Sequence, residues 1–150
     1  MPDTLPETPT ATTDRIAGTL AALDDRGRAL HAVVALSPTA TAAAAHHDAL
    51  VAAGAAPGPL AGVPFVVKDI IDVAGMATRA GSDTRPDPAP AAAPATVVAN
   101  LTAAGAIVAA KVHTVEHAFG GWGTNASQGT PINPWRPDLP HTPGGSSSGT

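Results

Sequence analysis

Val63-Pro64-Phe65-Val66-Val67-Lys68-Asp69 is the stretch whose reading decides the fold. An aromatic and β-branched run, approached through the turn-rich Gly58-Pro59-Leu60-Ala61-Gly62, predicts a short strand at residues 65–67 with a lysine directly after it. Ala106-Ile107-Val108-Ala109-Ala110 repeats the pattern and delivers a second lysine, Lys111. Between the two lies a helix predicted from Thr96, with Val97, Val98 and Leu101 on one face and a stop near Gly105. The Pro/Ala-rich residues 83–94 read as an extended surface loop. A strand, a helix and a second buried strand form the alternation of an α/β protein.

Working outward, Leu30-His-Ala-Val-Val-Ala-Leu36 predicts another strand. A helix is expected to begin near Thr13, capped by its hydroxyl, with Ile16, Leu20 and Leu23 at helical spacing and a break at Asp24-Asp25-Arg26-Gly27. A second, Ala-rich helix is capped by Thr39 or Thr41 and runs to about Ala53, with Gly54 as its stop. Residues 1–12, rich in Pro and Thr, read as a disordered lead-in to one domain over 13–150. Residues 118–150 are dominated by Gly, Asn, Pro and Ser, and so long an irregular stretch is usually functional or disordered. The sequence stops inside a Gly/Ser loop with no element to anchor it, so a piece of a longer protein is expected. Composition agrees: the 44% apolar content is mostly Ala and Val, with two Phe, two Trp and no Tyr, which buries little area per residue for a self-sufficient core.

Charge and composition exclude several classes of partner. The net charge is −4 and Lys/Arg are nowhere clustered, which argues against nucleic acid and anionic membrane as partners. There is no cysteine, hence no disulfide or thiolate chemistry, which fits a cytoplasmic protein. No signal peptide is visible, and no apolar stretch approaches the ~20 residues that span a bilayer.

Two places can do chemistry. Lys68 ends an apolar strand, so its stem is buried. A solvated lysine keeps a pKa of about 10.4, but desolvation lowers it, and a neutral amine can accept a proton from a serine hydroxyl. The alternative is a lysine that reaches solvent or pairs with Asp69 or Asp72. The second place is Pro143-Gly144-Gly145-Ser146-Ser147-Ser148-Gly149. Such composition suits a flexible linker, an anion-binding loop (though without the Gly-Lys-Ser/Thr of a P-loop), or a rigid catalytic loop whose glycines permit close backbone approach.

Taken with the text between them, these segments resemble the amidase signature family over residues 57–150. The matching stretches are Gly58 to Asp69, Asp72-Val-Ala-Gly75, Ala95 to Ala106, Glu116-His-Ala-Phe-Gly120, Gly123-Thr-Asn125, Gly129-Thr-Pro-Ile-Asn-Pro134 and Pro143 to Gly149. Their order and spacing carry the resemblance. It implies the N-terminal part of an α/β/α fold with a mixed central sheet. It implies an amidase that hydrolyses a carbon–nitrogen amide bond through a Ser–cisSer–Lys triad and an acyl-enzyme, with no cofactor and a small-molecule amide as substrate. Lys68 falls on the catalytic lysine and Ser146 on the bridging serine, whose preceding peptide bond is cis in the family. The nucleophilic serine is expected beyond Thr150, so the 150-residue chain alone is expected to be inactive. Two positions depart from the family's habit, Ser148 in place of a glycine and Ile70 where Asn often follows Lys-Asp; neither touches Lys68 or Ser146.

Two other functional readings stay open. The same triad serves the amidase-type component of glutamine-dependent tRNA amidotransferases, and a homodimer is compatible with either form. His113-Thr-Val-Glu116-His117 matches the H-x-x-E-H pattern of zinc peptidases, which needs both histidines on one helix face. In the resembling family that stretch starts a structural helix and its histidines are incidental, so no metal is expected. His46-His47 is expected on a helix surface.

Overall fold

The computed structural model describes residues 11–55 and 58–150; residues 1–10 of the expected lead-in lie outside the described residues. Helix α1 spans Thr12–Ala22 and runs into a π-helical turn at Leu23–Gly27. Strand β1 is Val33–Leu36, helix α2 Ala40–Ala52, strand β2 Pro64–Lys68, helix α3 Thr96–Ala103 and strand β3 Ile107–Val112. A single 3₁₀ turn, Glu116–Ala118, is the last regular element. This is the expected α/β architecture, with a mixed sheet ordered β1-β3-β2.

β3 is central, and all six of its residues are buried, which is why it reads as an unbroken apolar run closed by Lys111 and Val112. β2 lies parallel to β3 through the crossover that contains α3, and β1 pairs with β3 antiparallel. The β2–β3 register passes from Phe65↔Val108 to Val66↔Ala110, so Ala109 is an extra residue on β3. Beyond that irregularity Lys68 aligns with Val112.

Two apolar clusters hold the sheet. Ile107 packs with Ile16, Ala40 and Ala44 from α1 and α2, with Leu20 at the edge. Val108, the next residue, packs with Val67, Val73, Met76 and Val98. Consecutive strand side chains point to opposite faces, so β3 alone joins the two clusters. In α3 only Val98 is buried; Val97, expected on the same face, is exposed and Leu101 is half-buried. Val97 and Val98 lie about 100° apart around the helix, which suffices to separate them.

The N-terminal half departs from the expectation in four places. The chain does not break at Asp24–Gly27 but stays helical through the π turn, with Arg28 Nε donating to Asp24 Oδ1 on the surface and Leu30 N bonded to Arg26 O at 3.0 Å. β1 therefore begins at Val33, not Leu30. Gly27 permits that path, since a Cβ there would meet Val33 Cγ2 at 2.6 Å. Finally, Thr13 does not cap its own helix. Asp48 of α2 does so, accepting from Thr12 N at 2.8 Å, Thr13 N at 2.9 Å and Thr13 Oγ1 at 2.6 Å. A carboxylate at a helix N-terminus satisfies free N–H groups and faces the positive end of the dipole. Thr39 occupies the N-cap position of α2 without a capping bond. Gly54, at φ +80°, ends that helix as expected.

Candidate active site

Lys68 is the last residue of β2, partly buried, its backbone fixed in the parallel ladder with β3. Asp69 and Asp72 are the neighbours in sequence that could neutralise it. Asp69 instead pairs with Lys111, and among the described residues no carboxylate forms an ion pair with Lys68. The Lys68 amine approaches Ser146, with Nζ donating to Oγ at 2.5 Å across 78 residues of sequence. Burial pushes the amine below its ordinary lysine value, since desolvation penalises the ammonium form.

Ser146 sits on a loop without regular structure, docked against the segment that follows β3. Val115 N donates to Ser146 O at 3.0 Å, and Gly149 N donates to His113 O at 3.0 Å. The Gly145–Ser146 peptide bond is cis. Glycines make the docking possible. A Cβ on Gly149 would collide with the Ala32 carbonyl, the His113 amide and Val112, and one on Gly123 with the Gly144 carbonyl and Pro143. Gly123 and Gly144 also take positive φ, +80° and +83°. Behind the loop, the buried Asn125 side chain joins three segments. Its Nδ2 donates to Gly81 O at 2.8 Å and Thr114 O at 3.0 Å, while its Oδ1 accepts from Ser127 N and Gln128 N. The composition that suits a linker therefore folds here into a pinned loop.

A partly buried amine in contact with a hydroxyl can exchange a proton with it. Known proteins share the sequence and the fold around this pair. The Amidase family's sequence model matches residues 16–150. This chain belongs to that family. It is 50% identical over 111 residues to the 2-amino-5-chloromuconic acid deaminase of Comamonas testosteroni, which covers 73% of the chain and 24% of that enzyme. It is 41% identical over 138 residues to a glutamyl-tRNA(Gln) amidotransferase subunit of Halorhodospira halophila, covering 92% and 27% respectively. Among solved structures, the native peptide amidase of Stenotrophomonas maltophilia superposes with a TM-score of 0.75 at 38% identity, over 92% of this chain and 28% of that one. The chain thus spans about a quarter of the length of the curated relatives it matches.

Within this amidase-family fold, the zinc reading loses its premise. His113 and Thr114 lie in no regular element, and His117 takes φ 48° inside the 3₁₀ turn, so no helix sets the two histidines on one face. His113 is buried, with its backbone bonded to Ala32 and Gly149. Its imidazole is held below the usual histidine value by desolvation, opposed by attraction to Asp69 and reinforced by repulsion from His31. Glu116 accepts from the buried Ser82 hydroxyl at 2.6 Å. His46 is exposed; His47 is half-buried and bonds Thr12 Oγ1 at 2.9 Å.

Two residues beside the site escape a reading of the sequence. Lys111 figures there only as the residue its strand delivers, and Asp69 only as a partner open to Lys68. In the fold both are fully buried, and they pair at 2.9 Å. The available signal is a charged residue closing an otherwise apolar, central strand, which requires a buried counter-charge.

Proposed function

We propose that this chain contributes the base and the bridging serine of an amidase that cleaves carbon–nitrogen amide bonds through a Ser–cisSer–Lys triad. The 2.5 Å approach of Lys68 Nζ to Ser146 Oγ is the observation that carries this reading. The third member is a serine supplied by the chain beyond Thr150 in the whole protein, so the 150 residues alone turn over no substrate.

Neutral Lys68 takes the hydroxyl proton of Ser146 as Ser146 takes that of the nucleophilic serine. The freed serine oxygen bonds to the amide carbon and the carbonyl electrons move onto oxygen, where backbone N–H groups stabilise them. When the tetrahedral adduct collapses, the C–N bond breaks. The leaving nitrogen takes a proton from Ser146, and Ser146 is reprotonated by Lys68, which returns to the amine. Water then attacks the ester by the same relay, giving the acid and restoring the serine. Lysine fills the place that histidine and aspartate share in the better-known triad.

The similarity to amidotransferase subunits over 92% of the chain favours a second form of the same chemistry, in which glutamine is the amide and ammonia is passed on. The deaminase relative adds amino-muconic acids to the substrates worth assaying. Ammonia release by the whole protein from benzamide, glutamine and 2-aminomuconate separates these choices. Lys68→Ala should lower the dominant activity by about 10²–10⁴-fold, the usual contribution of a general base. Wild-type turnover in that variant would overturn the triad. Among the described residues no helix is long and apolar enough to cross a membrane.

A further inference from the structure

On the sheet face turned away from Lys68 the chain holds a second concavity. Lys68 and Val112 are register partners, so the side chain of Lys111 points to the other face. There Lys111 Nζ donates to Ala77 O at 3.2 Å, and Ala77 borders a cavity of about 580 Å³ that also touches Val33, Arg79, Asp83, His113 and Gln128. That volume suits a small ligand.

Of the polar residues there only His113 is buried. It is 8% exposed, and among the described residues the buried Nδ1 of its ring has no hydrogen-bond partner. The backbone holds the ring in place, since His113 N donates to Ala32 O at 2.9 Å and its carbonyl accepts from Gly149 N at 3.0 Å. A buried polar atom left unpaired is destabilising, so one that borders a cavity points to an occupant.

The charges around the cavity are balanced. Arg79 is half-buried, and its guanidinium lies 3.5 Å from Asp87, a carboxylate 95% exposed, so that pair holds it weakly. Asp83 is exposed and forms no ion pair among the described residues. Gln128 Nε2 donates to Ser82 O at 3.3 Å, which leaves its carbonyl oxygen as an acceptor. Burial holds the His113 imidazole below the usual histidine value, so at pH 7 it is neutral and offers one donor and one acceptor. Asp69, which attracts that ring, is itself neutralised by Lys111 at 2.9 Å.

We propose that this cavity binds a free α-amino acid with a small apolar side chain. Its carboxylate meets Arg79, its ammonium meets Asp83 and the Gln128 carbonyl, and the His113 ring takes the remaining hydrogen bond. Val33 and Ala77 border the side chain. A lone carboxylate is repelled by Asp83 and a lone amine by Arg79, so the zwitterion alone matches both charges.

The test is isothermal titration calorimetry of the whole protein with L-alanine, and with acetate and ethylammonium as its two halves. L-alanine should bind saturably. Arg79→Gln and Asp83→Asn should each weaken that binding about tenfold or more, the worth of one charge-assisted hydrogen bond. Acetate and ethylammonium should bind the parent more weakly than L-alanine by a similar factor. Lys68→Ala should bind L-alanine as the parent does, because the sheet lies between. No saturable heat from L-alanine, the result if the chain beyond Thr150 fills the cavity, overturns the proposal. So does binding that neither cavity variant moves, or that Lys68→Ala abolishes, since the amino acid then sits elsewhere. Acetate binding as tightly as L-alanine also overturns it and makes the cavity a plain anion site. If one cavity variant does not fold, the other decides.

Discussion

The β2–β3 pair and the stretch from Phe119 to Thr150 place the two halves of the candidate site by opposite means. β3 is buried along its whole length, and Lys68 is fixed to it by a ladder in which each neighbour reinforces the next. The later stretch has no helix or strand, and it leaves Phe119, Trp122 and Trp135 exposed by 93%, 73% and 89%. Ser146 is held there by separate backbone bonds and by glycines that admit close contacts. The comparison teaches that a loop can match the order of a strand where its backbone groups are individually satisfied and its side chains are absent at the contact points. Lys68 then owes its place to apolar burial, and Ser146 owes its place to polar docking.

The sharpest way to break this comparison is to remove the Ser146 hydroxyl and leave the backbone docking intact. Ser146→Ala in the whole protein should lower turnover by about 10²-fold or more while the thermal midpoint falls only slightly, because the loop loses the Oγ contact with Lys68 but keeps its backbone bond from Val115 N to Ser146 O. Near-wild-type rates would mean that the nucleophile reaches Lys68 directly.

Next in size is a lesion of the docking itself. Gly149→Ala drives a methyl into the backbone of Ala32 and His113, and should cost ~1–3 kcal/mol, read by denaturant unfolding. An unchanged midpoint would show that the loop does not need its close approach.

The pH dependence separates Lys68 from the α1 cap by its window, alkaline for the one and acidic for the other. Burial lowers the folded-state value of Lys68, so between that value and the ordinary one near about 10.4 the unfolded chain binds more protons and stability rises with pH. Asp48 has the same sign in an acidic window. Hydrogen bonds from the Thr13 hydroxyl, then the Thr13 and Thr12 amides, hold its carboxyl well below the usual carboxylate range. Its contribution is complete above the ordinary carboxylate value and is lost as pH falls through the folded one. Asp48→Ala should therefore lower the thermal midpoint at pH 7 and lessen the further drop on acidification. A parallel drop in variant and parent would discount the cap.

The smallest effect is expected at the surface of the loop region. Arg136→Ala removes an exposed pair with Asp138 at 3.2 Å and should leave both midpoint and turnover unchanged. A measurable loss would mean that the 133–142 segment is held by charge as well as by its backbone.

How much of this is legible in the sequence follows the same division. β2, β3, α3 and the glycine that ends α2 are readable because burial imposes a pattern on the apolar residues themselves. The sequence pattern sets the first strand three residues early, since Asp24-Asp25-Arg26-Gly27 reads as a break although its charges lie on an exposed helical turn. It also points to Thr13 as the cap of α1, because a capping residue from 35 positions away leaves no local trace. Lys68 and Ser146 stand out through resemblance, as neither strand pattern nor Gly/Ser composition alone distinguishes them from a surface lysine and a linker. The Asp69–Lys111 pair needs the fold, because only the parallel register carries Lys111 to the end of β2.

Asn125 shows what such a junction demands. Its amide gives two hydrogens and receives two, so its four contacts use both ends of one small group. Aspartate has almost the same outline but no N–H, and would turn an oxygen toward the carbonyls of Gly81 and Thr114. Asn125→Asp would therefore undo the junction while leaving its outline nearly unchanged, a loss that no measure of packing reveals.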